Sequence, residues 1–210
     1  MGHGHYIAPA KGQYQVAAGQ VLELQFVVLP GESRDIDVTV DLCGPGAEAH
    51  LKGLYLSKAD EKVNFRVVMH HKAPGCHSTQ LFNGIAGGSA EVSFDGTIVV
   101  APDAQKTEAF QENHNIVLTE TAKVNTKPQL EIYADDVKCS HGATVGQLNE
   151  DELFYMRSRG IPEAEARTLQ MLSFLAPVIP EGREEEIERA VSCMAPSPMT
   201  GTRPSVRWEE

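Results

Sequence analysis

The chain has 210 residues, of which 41% are hydrophobic and 22% charged, the composition of a folded domain large enough to bury its own core. A formal net charge of −11 excludes unaided binding to nucleic acid, which requires a basic footprint. Aromatic residues make up only 6%, while Val, Ile, Thr, Gly and Ala are plentiful, a balance that favours thin β layers.

The opening MGHGHYIAPA lacks the basic start and apolar core of a signal peptide. No run approaches the roughly 20 apolar residues of a membrane span. Residues 1–19, with His3 and His5, are read as an N-terminal extension. The four cysteines, Cys43, Cys76, Cys139 and Cys193, lie far apart without a C-x-x-C pair. A reducing cytoplasm suits them better than a disulfide framework.

From Gln20 the chain reads as short β segments: Val21–Leu29, Asp35–Leu42, Ala47–Leu56, Lys62–His71, Ala90–Phe94 and Thr97–Val100. In Asp35-Ile36-Asp37-Val38-Thr39-Val40, polar and apolar residues trade places at period 2. Turn residues punctuate them at Pro30-Gly31, Gly44-Pro45-Gly46, Pro74-Gly75, Gly87-Gly88 and Asp95-Gly96. From position 90 the apolar clusters Ile98-Val99-Val100, Ile116-Val117-Leu118 and Leu130-Glu131-Ile132 form a rough repeat of irregular period. Such recurrence suits a β-solenoid, with Ile98, Val100, Ile116, Leu118, Leu130 and Ile132 inward, and equally a sandwich of short strands.

After His141 the pattern turns helical. Asn149 followed by Glu152 is an N-cap and capping-box signal, and Gly160 a stop. Pro162 suits the first turn of a second helix, 162–178, on which Leu169, Leu172, Ala176 and Ile179 share a face. A third helix, 182–194, carries Ile187, Ala190, Val191 and Met194. The expected domains are a β core over 20–146, a helical subdomain over 147–194 and a frayed tail over 195–210. The helices either present a docking platform or pack back on the β core.

Cys139 and His141, two apart after Asp135 and Asp136, would show sulfur and imidazole on one face of a strand. These are ligands suited to iron, zinc and copper; a buried Cys with a satisfied His is the plain alternative. A second group is His70, His71, Cys76 and His77, although neighbours on a strand point to opposite faces, so His70 and His71 cannot both meet one ion without distortion. His114 is read as a turn residue. No P-loop, nucleophile elbow or H-E-x-x-H zinc helix is present, so the chain should not hydrolyse ATP by itself.

The string LEIYADDVKCSHGATVG (130–146) with LFYMRSRGI (153–161) resembles the C-terminal region of the SufB/SufD family, scaffolds of the SUF iron–sulfur cluster assembly system, and the SufD branch most closely. Looser similarity runs through HHKAPGCHSTQLFNGI, FDGTIVVAPDAQKTEAFQ and VNTKPQLEI. Where the SufB branch carries Glu after its matching His, this chain has Gly142, and where that branch brings a Cys, Gln111–Asn115 has none.

The resemblance implies a right-handed parallel β-helix followed by a small helical subdomain. Such proteins are about twice this long, so the chain corresponds to a C-terminal half, as a fragment or a short natural form. It implies a non-enzymatic cytoplasmic scaffold subunit that pairs with a SufB-type subunit and binds a SufC-type ABC ATPase through its helices. His141, with Cys139 as the lesser candidate, would help hold a transient iron–sulfur cluster shared with the partner. No metal or cofactor is expected to stay bound to the isolated chain, which should form a homodimer through residues 130–142. The rival reading is a β-fold metalloenzyme using His70, His71, His77 and His141.

Overall fold

Period-2 alternation is the mark of a strand sealed on one face only. In the computed structural model, which describes residues 6–7, 9–31 and 33–194, that pattern becomes a stack of parallel coils. The strands are β1 (Tyr6–Ile7), β2 (Lys11–Val16), β3 (Val21–Val28), β4 (Arg34–Leu42), β5 (Glu48–Ser57), β6 (Lys62–His71), β7 (His77–Ala86), β8 (Glu91–Val100), β9 (Glu108–Val117), β10 (Lys123–Ile132) and β11 (Lys138–Gly146). One sheet runs β1-β3-β5-β7-β9-β11 and the other β10-β8-β6-β4-β2. Consecutive strands from β2 onward alternate between the sheets, and every described pairing is parallel. This is a solenoid, and the antiparallel sandwich is excluded.

Glu48 pairs with His77, His77 with Glu108 and Glu108 with Lys138, so each coil returns to the same register position one strand pair later. The rough repeat in the sequence is therefore half a coil, a single strand, and successive repeats fall in opposite sheets. Ala90–Phe94 and Thr97–Val100 belong to a single strand, β8. Strand β7 has no counterpart in the sequence reading, and β1 and β2 lie upstream of residue 20. His3, His5 and the tail from Ala195 lie outside the described residues.

The lumen is sealed by Val38, Val40, Leu51, Phe65, Val67, Met69, Phe82, Phe94 and Ile98. Its aromatic centre places Phe82 4.9 Å from Phe94 and 5.5 Å from Phe65, ring centre to ring centre. Gly53 permits this packing, because any Cβ there would overlap the Phe82 ring.

Of the residues expected inward, Ile98 and Val100 are fully buried in the lumen and Leu130 partly. Ile116 and Leu118 instead pack with the helices, and Ile132 is exposed. The inward positions of β9 are Ala109, Gln111, Asn113 and Asn115. Helices cover the outer face at Ile116, so an apolar side chain is buried there too.

The helices are α1 (Glu150–Ser158), α2 (Glu163–Leu175) and α3 (Glu184–Ser192), with one 3₁₀ turn over Ala176–Val178. Asn149 caps α1 by accepting the Asp151 and Glu152 backbone N–H groups at 3.0 and 3.2 Å. Glu152 does not close the expected box; it accepts from the Asn149 and Gln170 side chains. Gly160, with φ +89°, ends the segment. On α2 the buried face is Ala166, Gln170, Met171 and Leu175, while Leu169 and Ala176 are exposed, which corrects the expected stripe. On α3, Ile187 and Val191 are buried as the spacing predicts, with Met194 beyond its end also covered. The helices pack back on Leu54, Leu56, Ile85 and Ile116 of the outer sheet face.

His71 faces the lumen and is fully buried, with Nε2 2.9 Å from Ser78 Oγ and Nδ1 unpartnered. Burial first, then the neighbouring His77, pushes its pKa down to about 4. The folded chain therefore holds it neutral while the unfolded chain protonates it below roughly pH 6.5. Its contribution is complete above that pH and is lost as pH falls toward about 4. Urea unfolding at pH 7 and pH 5 should show a loss about 2 kcal/mol larger in the parent than in His71→Gln. Equal losses would show that His71 does not carry this dependence.

Candidate functional site

The final coil, β10 and β11, has no successor among the described residues, so the lumen opens there. In β11, Cys139 pairs with Ala109, His141 with Gln111, Ala143 with Asn113 and Val145 with Asn115. Those four β9 residues are buried, so the β11 set carries the same inward-facing row to the end of the stack. Cys139 is half-buried against the core, whereas His141 is exposed because nothing stacks upon it. Gly142, paired with outward-facing Glu112, points to the other face, where an added Cβ would meet no atom within 4 Å.

The shared face of Cys139 and His141 is thus observed, but their environments differ. Burial raises the Cys139 thiol pKa despite a hydrogen bond with the Ala109 backbone, so the thiol stays protonated near neutrality. Asp135 and Asp136 do not join them. Asp136 pairs with Lys106 at 2.9 Å, which lowers its carboxyl pKa, and its carbonyl accepts the Lys106 backbone N–H. The acidic pair lies at a coil corner that Lys106 clips.

Below the opening, the lumen changes from apolar to polar. Gln80, Gln111 and His141 form one row across β7, β9 and β11. Gln111 donates Nε2 to Gln80 Oε1 at 3.0 Å. In the next rows, the Tyr55 hydroxyl donates to Asn115 Oδ1 and accepts from Asn113 Nδ2 at 3.0 Å. Asn115 Nδ2 donates to Asn113 Oδ1 at 2.8 Å and to the Thr144 carbonyl at 3.2 Å, tying β11 to the network. These amides were not among the expected site residues, although Gln111, Asn113 and Asn115 at period 2 are a signal present in the chain.

The two free edges of the coil differ. Lys138 sends its N–H to Thr107 beside β9, so by alternation Cys139, His141, Ala143 and Val145 send theirs outward. Lys123 sends its N–H to Ala90 beside β8, so the outward positions of β10 are the even ones, and Pro128 among them has no N–H to offer. The β11 edge is a continuous pairing template and the β10 edge an interrupted one. Exposed Ile132, Tyr133 and Val145 add apolar surface at this end.

The other histidines are elsewhere. His70 points outward, with Nδ1 2.7 Å from Asp41 Oδ1, and Lys72 reaches the second oxygen at 2.9 Å. Burial would raise the Asp41 carboxyl, but hydrogen bonds from Lys72 and His70 hold it below its ordinary value. Cys76 is buried and donates to the Gly44 carbonyl. His77 lies on the outer face of the other sheet, edge-on to His50 and Phe110. His114 is no turn residue: it sits within β9, Nδ1 2.9 Å from Thr144 Oγ1. Among the described residues no three His, Cys, Asp or Glu are grouped to hold a metal ion, which removes the site that the metalloenzyme reading required.

A second surface lies on the helices. Phe154 and Tyr155 are 73% and 60% exposed, and Leu169 is exposed beside them. Tyr155, Met156, Leu169 and Gln170 line a groove of about 510 Å³. No helix among the described residues is long and apolar enough to cross a membrane.

The family model described as "SUF system FeS cluster assembly, SufBD core domain" matches residues 8–174. The chain is 37% identical over 155 residues to the iron–sulfur cluster assembly protein SufD of Escherichia coli, covering 74% of this chain and 37% of that protein. It is 33% identical over 183 residues to an iron–sulfur cluster assembly SufBD family protein of Mycobacterium bovis, covering 81% and 46%. It is 34% identical over 143 residues to SufD of Bacillus subtilis, covering 68% and 33%. The chain therefore spans less than half the length of these relatives. With its core matched by that model along most of its length, the chain belongs to the SufBD family of iron–sulfur cluster assembly proteins.

Proposed function

We propose that this chain is a SufD-like, non-enzymatic scaffold subunit of a cytoplasmic SUF complex. It pairs with a SufB-type subunit through its final coil and binds a SufC-type ATPase through its helices. The observation that carries the reading is His141, an exposed imidazole at the end of a lumen-facing row, on the strand whose outer edge is free. An imidazole there offers one half of a mixed-ligand site to a cluster held between subunits, with the remaining ligands from the partner. Cys139, half-buried and with a raised thiol pKa, is the lesser ligand.

In isolation, a second copy takes the partner's place at the open edge of β11, because exposed Val145 and the free backbone groups favour strand addition. The ATPase docks on Phe154, Tyr155 and Leu169, aromatic and aliphatic anchors beside a groove.

Three measurements check this. His141→Ala should leave folding and both subunit contacts intact while slowing cluster formation in the reconstituted complex by about tenfold or more; Cys139→Ala should be milder. Normal cluster formation with His141→Ala would remove His141 from the site. Light scattering of the free chain should give a dimer in the micromolar range that Val145→Asp reverts to monomer; a monomeric parent chain contradicts the edge pairing. Deleting 149–210 would bare Leu54, Leu56, Ile85 and Ile116, so point substitutions test docking more cleanly. Phe154→Ala with Tyr155→Ala should weaken ATPase binding by about 2 kcal/mol or more, and unchanged affinity would move the docking surface elsewhere.

A further inference from the structure

Gln111 is 1% exposed, and its Oε1 is a buried acceptor without a partner. Buried amides normally satisfy both ends, so an orphan acceptor calls for an explanation. Its Nε2 is already committed downward, to Gln80 Oε1 at 3.0 Å. The next residue up the same row is His141, and neighbouring strands in a sheet lie about 4.8 Å apart. The pocket for the Gln111 amide exists because residue 96 is glycine: a Cβ there would overlap Gln111 Nε2 and crowd the Phe94 ring. The amide is thus held from below and from the opposite sheet, with its free oxygen on the row that ends in His141.

Resting on the reading of His141 as a ligand, we propose that Gln111 is its positioning residue. When the partner covers the end of the stack, a ring N–H of His141 donates to Gln111 Oε1. That bond fixes one tautomer and leaves the lone pair of the other ring nitrogen facing the partner. A ligating imidazole generally donates its second nitrogen to an oxygen acceptor in this way, and losing the acceptor typically costs 10–100-fold in metal affinity or activity. Gln111 therefore acts through His141 and touches no cluster atom itself.

The test uses the reconstituted complex with isotope-labelled histidine, comparing the parent with Gln111→Met, which keeps the shape but not the acceptor, and Gln111→Glu, which keeps the acceptor. Gln80 Nε2, also buried and unpartnered, can turn to serve the new carboxylate. The His141 nitrogen shifts should report one tautomer in the parent and in Gln111→Glu, and a mixture in Gln111→Met. Cluster formation should fall about tenfold in Gln111→Met and recover in Gln111→Glu. A mixed tautomer in the parent, or the same single tautomer in Gln111→Met, overturns the proposal. Normal cluster formation with His141→Ala would instead remove the ligand reading, while the tautomer measurement still decides whether Gln111 holds the ring.

Discussion

Each coil of this solenoid completes its backbone hydrogen bonds and seals its lumen only by resting on the next coil. Side chains stack in register, Glu48 on His77 on Glu108 on Lys138 outside, and Leu51 on Gln80 on Gln111 on His141 inside. Any position in the middle is satisfied from both sides, and any position in the last coil from one side only. The exposure of His141, the free edge of β11 and the uncovered Ile132 and Val145 all follow from that one-sidedness.

The lumen is graded to match. Phe26, Phe65, Phe82 and Phe94 pack its middle with no polar atoms to satisfy. Toward the open end Gln111, Asn113 and Asn115 replace them, and Tyr55, Phe82 and Thr144 supply most of their partners. Buried amides with directed partners specify a geometry that interchangeable aliphatic groups do not. The strand that bears His141 is thereby held by side-chain bonds as well as by its ladder. The outer edge of β10 is interrupted by Pro128 and flanked by Lys123 and Lys127, so the two sheets do not offer equal invitations to a partner.

The helical subdomain solves a separate problem. Leu54, Leu56, Ile85 and Ile116 make one outer face of the solenoid apolar, and Leu153, Met171, Leu175, Ile187 and Val191 cover it. Of the two fates open to amphipathic helices, packing back on the β body accounts for most of their apolar surface. Phe154, Tyr155 and Leu169 remain outside that contact.

Much of this was legible in the chain itself. Alternation in Asp35–Val40 and Lys62–His71 marked true strands, Asn149 marked the start of α1, and Ile187 with Val191 marked the buried side of α3, because such signals act within a turn or two of backbone. The run around Cys139 and His141 carried the family. What local pattern cannot carry is which face a neighbour covers. Ile116 was misplaced and Gln111 passed over on that account, since helices cover the outer face of β9 at Ile116 and its inner side is polar. The stripe on α2 turned from Leu169 and Ala176 toward Ala166 and Met171, with Leu172 still partly covered, because the solenoid surface selects the face. The sequence by itself determined the clearly alternating strands such as β4 and β6, the start of α1 and the family. Only the stacking of coils determined that His141 ends a polar row at an open edge, because that position depends on contacts from β9 and β7, one and two coils earlier in the chain.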